Sequence, residues 1–292
     1  MKFVLYSISI LLIVSSCGKN NPDPSWIEVG AWTLEENPNA VIPAGELSQN
    51  ISEVFLYIND DIMGVFEVPF KIPVLVEGPV NIKIFPAIKN NGISATKKIY
   101  PFLDIYEVNE TLVKNQTLSI SPKTRYKSNV KFIIEDFEDA AIKIENDPNS
   151  ATVYTVGNDP EFKKWFNGNF YGQVNLNAED STWIAYTNFA SVNGANLPRA
   201  TEVYLEIDFL NTAPLVTGLL AISPNGVKPN QNIQLNPLKD GEMKWRKIYI
   251  DLRELINASD PQAYFEHTFQ SILPEDASSA FILIDNIKIV HF

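Results

Sequence analysis

Apolar and polar residues alternate in short runs along much of this chain of 292 residues. Such alternation, in runs rich in β-branched and aromatic residues, is typical of β-strands with one buried face. No heptad pattern and no long amphipathic helix interrupts it, so the predicted fold class is all-β. In the first half the predicted strands are Glu53–Asn59, Met63–Val68, Lys71–Val76, Val80–Phe85, Ile93–Tyr100 and Thr111–Ile120.

Residues that favour turns separate these strands. Asn59–Asp61 and Glu77–Pro79 are typical of the connections between neighbouring strands. Asn90–Gly92 is a stronger hairpin signal, because Asn-Gly suits the positive φ of both central turn positions. With strands at this spacing, residues 31–124 have the size expected of an immunoglobulin-like β-sandwich.

A polar break that contains proline, Ser121–Arg125, separates this region from a longer one. We place the domain boundary between residues 124 and 125. Nine or so further strand patterns follow, which predicts a jelly-roll β-sandwich over residues 125–292. These patterns are Val130–Ile134, Thr152–Val156, Tyr171–Leu176, Thr182–Thr187, Val203–Phe209, Leu215–Ile222, Asn232–Leu235, Lys244–Leu252 and Phe281–Val290.

Two short helices are predicted in the second region. Glu161–Phe166 follows a proline at position 160, and proline is favoured at the first position of a helix. Leu252–Asn257 is long enough for about one turn after a predicted strand. Neither helix changes the all-β class.

The first seventeen residues have the pattern of a targeting segment. A positive charge at Lys2 is followed by the mostly apolar run Phe3–Val14 and by small residues before Cys17. An apolar run of this length is too short for a membrane-spanning helix, which needs about 20 residues. The pattern therefore predicts a signal peptide over residues 1–16.

Val14-Ser15-Ser16-Cys17 resembles the lipobox of bacterial lipoproteins. The resemblance implies cleavage before Cys17 and acylation of that cysteine, with two or three acyl chains as a stable anchor. The polar stretch that follows predicts a tether over residues 17–30. Gly18 stands where an aspartate would signal retention in the inner membrane, so we expect the outer membrane, and the cell surface more than the periplasmic face.

Three motifs of the second region resemble carbohydrate-binding modules of the jelly-roll type. Glu135-Asp136-Phe137-Glu138 and Ile284-Asp285-Asn286-Ile287-Lys288-Ile289 look like the opening and closing strands of such modules. Trp245–Leu252 resembles their W-x-K-x-x-x-D-L strand. Together, the lipobox, the immunoglobulin-like region and the jelly roll resemble multidomain outer-membrane lipoproteins of the Bacteroidota.

Composition excludes several classes of function. With 35 acidic and 23 basic residues the net charge is −12, and nucleic acid is not an expected partner because phosphate backbones are bound by Lys and Arg. A single cysteine excludes an internal disulfide framework and argues against a cysteine zinc site. The two histidines, His267 and His291, are expected at the surface or a sheet edge. Without a Gly-x-Ser-x-Gly motif, we expect no catalytic machinery.

Acidic residues crowd near the start of the second region. In a strand, Glu135 would lie on one face, with Asp136 and Glu138 on the other. One interpretation is a solvated strand edge that discourages aggregation. The other, which the resemblance to carbohydrate-binding modules implies, is a structural calcium site that also includes Asp285; calcium takes six to eight oxygen ligands. No other cofactor is predicted.

Aromatic residues cluster between positions 165 and 189. Exposed rings on a β-sandwich stack on sugar faces, and the same rings anchor protein partners. Alternation puts Trp183 and Tyr186 on opposite faces of their strand, so about half of these rings should lie in the core. Trp165 and Tyr171, which flank turn residues, are the two that we expect to be exposed; together these four rings are the candidate ligand or partner residues.

Two functions remain open. The favoured one is a non-catalytic accessory subunit that a lipid anchor holds against an outer-membrane β-barrel complex for assembly, lipoprotein export or secretion. It is supported by apolar segments interrupted by proline, Ile72–Val76 and Ile84–Ile88, which suit either a docking surface or a protected sheet edge. The alternative is a surface glycan-binding lipoprotein of a polysaccharide-uptake system, supported by the aromatic cluster.

Overall fold

The computed structural model describes residues 22–162, 168–189, 197–229, 233–239 and 242–292. Within these ranges the chain forms two β-sandwiches that pack against each other, a first unit over residues 25–124 and a second unit over residues 131–292. The all-β prediction, with a jelly roll as the second sandwich, is confirmed. No helix within the described ranges is long and apolar enough to cross a membrane.

The first unit consists of two sheets and a small additional pair of strands. Its strands are β1 (Ser25–Val29), β2 (Thr33–Leu34), β3 (Glu53–Ile58), β4 (Asp61–Glu67), β5 (Phe70–Val74), β6 (Gly78–Lys89), β7 (Lys97–Ile99), β8 (Tyr106–Leu112), β9 (Thr117–Ile120) and β10 (Lys123–Thr124). The larger sheet has the order β4-β3-β6, and the far side of β6 is shared by β8 and β7. The smaller sheet has the order β5-β1-β9 with β9 parallel to β1, and β2 pairs with β10.

Alternation decides which side of the larger sheet is buried. On β3, Val54, Leu56 and Ile58 lie in the core of the first unit, whereas Phe55 and Tyr57 face outward and are half-buried. Successive side chains of a strand point to opposite faces, so the period of two in the sequence fixes this division.

Two of the three predicted turns are confirmed by backbone conformation. Asn59 and Asp60 both have positive φ, 53° and 69°, as a two-residue hairpin turn requires. Asn91 and Gly92 have φ of 55° and 72° in the predicted turn Asn90–Gly92. Glu77–Pro79 does not form a hairpin, because Gly78, with φ of 89°, begins β6, and β5 and β6 lie in different sheets.

The second unit consists of two antiparallel sheets. Its elements are β11 (Lys131–Glu135), β12 (Ile144–Asn146), β13 (Thr155–Gly157), a 3₁₀ helix (Pro160–Phe162), β14 (Tyr171–Asn177), β15 (Thr182–Thr187), β16 (Val203–Asn211), β17 (Leu215–Ser223), β18 (Gly226–Pro229), β19 (Ile233–Leu235), β20 (Arg246–Asp251), α1 (Arg253–Ala258), β21 (Tyr264–Ile272) and β22 (Ser279–His291). We call β13-β14-β22-β16-β20, with β11 beside β22, the covered sheet. The open sheet is β12-β15-β21-β17, with β18 and β19 beside β17.

Strand connections give this unit its jelly-roll topology. The chain passes from β14 in the covered sheet to β15 in the open sheet and keeps alternating through β16, β17, β20, β21 and β22. Side chains from both inner faces form the core, for example Leu205 and Ile250 from the covered sheet and Trp183 and Phe269 from the open sheet. The rings of Trp183 and Phe269 are stacked with centroids 5.7 Å apart.

The outer face of the covered sheet packs against the first unit. Tyr204, Tyr249 and Val290 on this face share one hydrophobic cluster with Tyr100 and Phe102 of the first unit. Tyr100 meets Tyr204 edge to face, with ring centroids 5.2 Å apart. One of the two faces of the jelly roll is therefore occupied by its own chain.

Charged groups are buried in the same interface. Nζ of Lys247 lies 2.9 Å from Oε2 of Glu206, and both side chains are fully buried. The Glu206 carboxylate also accepts hydrogen bonds from the hydroxyls of Tyr100 at 2.6 Å and Tyr126 at 2.8 Å. Burial alone would raise the pKa of Glu206, but the charges of Lys247 and Lys288 and the hydroxyl hydrogen bond outweigh it, so the pKa is lowered. The carboxylate thus remains ionised between the two units.

The first unit begins earlier than the sequence predicts. β1 lies within residues 17–30, the segment predicted to be a tether, because Ile27 and Val29 are buried in the core of the first unit. The last strand of the first unit ends at Thr124 and the first strand of the second unit begins at Lys131. The domain boundary between residues 124 and 125 stays a prediction. The immunoglobulin-like assignment of the first sandwich stays a prediction.

Several elements differ from the sequence pattern. The run Thr111–Ile120 is divided between β8 and β9, and β12, β18 and β21 are additional strands. The predicted helix Leu252–Asn257 corresponds to α1. Of the other predicted helix, Glu161–Phe166, the structure describes a 3₁₀ turn at Pro160–Phe162, and residues 163–167 lie outside the described ranges.

Candidate functional site

The two outer faces of the jelly roll differ in what covers them. On the covered sheet, Tyr204, Glu206 and Asp208 point outward and are nevertheless fully buried, because the first unit lies over them. On the open sheet, the outward side chains of β21 from Tyr264 to Ile272 are exposed or half-buried. We call the outward side chains of β12, β15, β21, β17 and β19 the open face, because the first unit does not lie over them.

Tyr186 lies on β15, the second strand of the open face. Its strand register places it between Glu145 on β12 and Thr268 on β21, and Thr268 is followed by Gly218 on β17. The ring of Tyr186 is half-buried, while the side chain of Glu145 is exposed. We call these four paired residues the Tyr186 row. A molecule bound along the row contacts one aromatic ring between a carboxylate and a hydroxyl group.

Two carboxylates lie close to the Tyr186 phenol. Partial burial raises the pKa of Tyr186, and the negative charges of Glu145 and Glu266 raise it further. Burial and the charge of Glu145 likewise raise the pKa of Glu266. The side-chain amide of Asn188 donates a hydrogen bond to Oε1 of Glu145. The patch therefore combines hydrogen-bond acceptors and donors around an aromatic ring.

A second row crosses the open sheet beside the first. Ile184, Gln270, Val216 and Gln234 are paired on successive strands from β15 to β19. Neighbouring strands are roughly 4.8 Å apart, so the row extends over about 14 Å. Gln270 and Gln234 are exposed, which carries polar amide groups to the edge of the sheet at β19.

Tyr171 does not lie where the sequence predicts it. It is fully buried on the outer face of the covered sheet, where its ring packs against Trp245 with centroids 5.9 Å apart. Its hydroxyl accepts a hydrogen bond from the backbone N–H of Asp159 at 3.0 Å. The expected exposure of Tyr171 is wrong, because its side of the sheet is covered by other parts of the chain. Trp165 lies outside the described residues.

Trp183 is fully buried in the core of the second unit, opposite Tyr186 as the alternation predicts. Its Nε1 donates a hydrogen bond to Oδ1 of Asn146 at 3.1 Å. Trp245 is buried as well, in the cluster with Tyr171 on the outer face of the covered sheet. Of the four candidate rings, Tyr186 is the one that the described structure leaves accessible.

The carboxylates predicted to bind calcium have separate partners. Glu135 is buried and accepts two backbone N–H groups at 2.7 and 2.5 Å, and Glu138 accepts the N–H of Phe170 at 2.8 Å. Asp136 accepts the N–H of residue 138, and Asp285 is buried, which raises its pKa well above the ordinary value. Within the described residues no three His, Cys, Asp or Glu side chains are grouped to hold a metal ion, and the calcium site stays a prediction.

His267 is not at the surface or an edge. It is buried in the core of the second unit, where Nε2 forms a hydrogen bond with Oγ1 of Thr217 and the ring meets Phe269 edge to face at 4.7 Å. Burial lowers the pKa of His267 to about 3, so the imidazole is neutral at physiological pH. His291, at the end of β22, is half-buried.

The sequence pattern did not identify Glu145, Glu266 and Thr268 as site residues. Glu145 lies on β12 and the other two on β21, and neither strand was predicted. The signal was present, because Tyr264–Gln270 alternates strictly between outward and buried positions.

Comparisons with known proteins give similar structures only. No protein-family model matches the chain, and no curated protein does. One similar solved structure is described as a study of the promiscuous specificity of carbohydrate-binding modules of the β-sandwich superfamily; it has 14% identity over 81% of this chain and 84% of the other, with a TM-score of 0.38.

Two further structures match the chain over about half its length. A family 11 carbohydrate-binding module from Clostridium thermocellum, in complex with a β-1,3-1,4-mixed-linked tetrasaccharide, is 14% identical over 55% of this chain and 94% of the other, with a TM-score of 0.35. The xylan-binding CBM22-2 domain from Paenibacillus barcinonensis Xyn10C is 13% identical over 55% and 99%, with a TM-score of 0.37.

Proposed function

We propose that this protein is a non-catalytic, lipid-anchored glycan-binding protein whose open face holds a polysaccharide chain. The observation that carries the proposal is the position of Tyr186, an accessible ring flanked by Glu145, Glu266 and Thr268 on the one jelly-roll face that the first unit leaves uncovered. From the sequence alone, glycan binding is the alternative to an accessory role in an outer-membrane complex.

The chemistry of the open face suits a sugar chain. A pyranose ring has an apolar face that packs on an aromatic ring and a rim of hydroxyls that donate and accept hydrogen bonds. Tyr186 supplies the ring, Glu145 and Glu266 supply acceptors, and Gln270 and Gln234 supply both donors and acceptors. A row of about 14 Å offers these groups to several consecutive sugars of an extended chain.

The same face does not suit hydrolysis. Glycosidases place two carboxyl groups on either side of the scissile bond. On an open sheet both Glu145 and Glu266 approach a glycan from the same side, because side chains of one face point the same way. We therefore propose binding without turnover.

Replacement of Tyr186 tests the proposal. The full chain, purified in detergent, is screened by affinity electrophoresis against mixed-linkage β-glucan, xylan, β-1,4-galactan and oligogalacturonate. We expect retention by at least one polysaccharide, and Tyr186→Ala should weaken it at least tenfold, about 1.4 kcal/mol. Tyr57→Ala, which removes a half-buried tyrosine from the first unit, is the matched control and should bind normally. Equal retention of both variants would contradict the proposal.

An accessory role in an outer-membrane complex is the second candidate, and the first unit favours it. On the outer face of its larger sheet, Tyr57 and Phe85 meet edge to face at 5.2 Å, with Phe55 beside them and Ile62 56% exposed. Apolar patches of this kind mark protein contacts. Capture of one β-barrel protein from solubilised outer membrane by the wild type and Tyr186→Ala, but not by Tyr57→Ala, would support this role.

The lipid anchor belongs to the proposal as well. Cys17 and the predicted signal peptide lie outside the described residues, so the anchor depends on the resemblance of Val14–Cys17 to a lipobox. Metabolic labelling with radioactive palmitate should label the wild type in the outer-membrane fraction and leave Cys17→Ser unlabelled. Labelling of the Cys17→Ser chain would contradict acylation at this residue, and protease added to intact cells would report on surface exposure.

A further inference from the structure

A cleft of about 350 Å³ lies where the first unit meets the edge of the second. Asn50, Lys89, Asn91 and Gly92 line it from the first unit, and β19 and β20 line it from the jelly roll. Its volume is sufficient for part of a small ligand. The cleft is separate from the Tyr186 row, but Gln234 belongs both to its lining and to the second row of the open face.

Arg246 is the central polar group of this cleft. Its guanidinium lies over the ring of Phe209, 4.5 Å from the ring centroid, and Nη2 donates a hydrogen bond to Oδ1 of Asn211. Nε of Arg246 is buried and has no hydrogen-bond partner. The protein thus supplies one acceptor to this guanidinium and no carboxylate.

The charge of the cleft favours a negatively charged ligand. Its lining contains three basic side chains and no carboxylate, in a chain with a net charge of −12. Nζ of Lys89 is compensated by Glu67 at 3.3 Å, and Nζ of Lys247 points to Glu206 and Asp208. Arg246 is the lining cation without a carboxylate partner among the described residues.

The remaining lining groups are amides. Asn50 donates from Nδ2 to the backbone of Lys247, and Oδ1 of Asn91 accepts the N–H of Asp251 at 2.8 Å. These bonds fix the two side chains, and each still has its second amide atom for a ligand. Burial lowers the pKa of Arg246, which reflects how much water the guanidinium has lost. Arginine nevertheless keeps its charge.

We propose that this cleft binds a uronic acid residue of a glycan, with its carboxylate on the Arg246 guanidinium and its hydroxyls on the surrounding amides. A planar guanidinium matches a carboxylate in geometry as well as in charge. The continuity of Gln234 with the open face favours a glycan as the carrier of that carboxylate. The inference rests on the proposed function for the class of ligand, but its site is independent of Tyr186.

The test compares an acidic glycan with its neutral counterpart. Oligogalacturonate, oligoglucuronate and the carboxyl-reduced oligosaccharide made from each are titrated calorimetrically into the full chain in detergent. We expect one uronate to bind at least tenfold more tightly than its reduced form. Arg246→Gln should abolish this preference, and Lys244→Gln, which removes a charge from an exposed position two residues away, should retain it.

Further arms keep the result decisive. Arg246→Lys controls for misfolding, because it keeps the positive charge but lacks the planar guanidinium. We expect a reduced but measurable preference of this variant for the uronate over its reduced form. Equal affinity for acidic and reduced glycans, a preference that survives Arg246→Gln, or tighter binding of a polyglutamate peptide would each overturn the inference. Loss of neutral-glycan binding in Tyr186→Ala without any uronate preference would leave the proposed function standing and remove only this site.

Discussion

Tyr171 and Tyr186 show how one residue type takes two roles in the same sandwich. Both point outward from a sheet of the second unit, Tyr171 from the covered sheet and Tyr186 from the open sheet. Tyr171 is fully buried against Trp245, Leu210 and Leu283, whereas Tyr186 is half-buried next to carboxylates. The difference arises from what lies above each sheet.

Truncation should therefore separate the two tyrosines. Tyr171→Ala removes a ring from a closed cluster, and we expect it to lower the free energy of unfolding by about 3–5 kcal/mol, as for other buried aromatic residues. Tyr186→Ala should change stability much less. Urea unfolding followed by circular dichroism gives both values. A loss for Tyr171→Ala no larger than that for Tyr186→Ala would contradict the observed packing.

His267 should make the fold sensitive to acid. Its pKa is about 3 in the folded state against 6.5 in the unfolded chain, because burial disfavours the charged imidazole. Between these values the unfolded chain binds a proton that the folded chain does not, so this residue lowers stability as the pH falls from 6.5 toward 3.

The His267→Gln variant tests this sign. Relative to the wild type, its free energy of unfolding should fall less steeply with acid, by up to about 1.4 kcal/mol per pH unit between pH 6 and pH 4. Urea unfolding at four pH values measures the slopes. His291→Gln, at a half-buried position, is the control and should differ less from the wild type. Parallel wild-type and His267→Gln curves would be the contrary result.

At the level of elements, the turn at Asn90–Gly92 connects the two units. The backbone N–H of Asn91 donates a hydrogen bond to the carbonyl oxygen of Tyr249 at 2.9 Å. A turn of the first unit is therefore bonded to β20, the edge strand of the covered sheet. Gly92 has φ of 72°, and a Cβ there would lie 3.1 Å from Cδ1 of Ile248. Both the conformation and the contact favour glycine.

Gly92→Ala should destabilise the protein for these two reasons. We expect a loss of about 1–2 kcal/mol in the free energy of unfolding, from the strained φ and the displaced Ile248 side chain. Gly30→Ala is the matched control, since a Cβ at Gly30 would make only an ordinary contact of 3.6 Å with the carbonyl of Ile120. Unfolding of both variants in guanidinium chloride measures their free energies of unfolding. Equal losses would contradict the expected strain at residue 92.

The sequence predicts strand positions correctly where turn residues flank the strand on both sides. β3 and β15 match their patterns to within one residue, because alternation and flanking turn residues are local properties. β21 was missed although its alternation is strict. The sequence predicts a tether where β1 lies, because a strand of five residues beside Pro22 and Pro24 has too short a pattern to stand out. Both strands that pair with β1 are distant in the sequence.

On the scale of the whole molecule, we expect the interface between the units to make them unfold as one entity. They share a hydrophobic cluster, and Glu206 binds Lys247 of its own unit together with Tyr100 of the first unit. Loss of one partner from a buried ion pair strongly destabilises a protein, because the other charge remains in a region of low dielectric constant.

Glu206→Gln should therefore affect both units at once. We expect a loss of about 3–5 kcal/mol in the free energy of unfolding, with one transition in both variant and wild type. Tryptophan fluorescence and circular dichroism provide two probes, since Trp32 lies in the core of the first unit and Trp183 in that of the second. Lys83→Gln, which breaks the exposed pair with Asp60, is the control and should change little. Separate transitions in the wild type would contradict a single entity.

The candidate site was only partly predictable. Alternation placed Tyr186 and Trp183 on opposite faces of their strand but did not decide which face is outward, and in the structure it is Tyr186 that stays accessible. Glu145 and Glu266 join it through strand pairings between residues about 40 and 80 positions away. The uronate cleft was not visible in the sequence, because Arg246 and residues 89–92 meet only when the two units are packed.

The sequence by itself determined the all-β class, most strand positions and the turns at Asn59 and Asn91, since each depends on the conformational preference of a few adjacent residues. The tertiary structure alone decided which outward-facing residues are exposed. Alternation tells whether a side chain points to one face or the other, but burial of that face depends on elements from elsewhere in the chain. For this protein, the first unit covers one jelly-roll sheet and leaves the Tyr186 face of the other open to solvent.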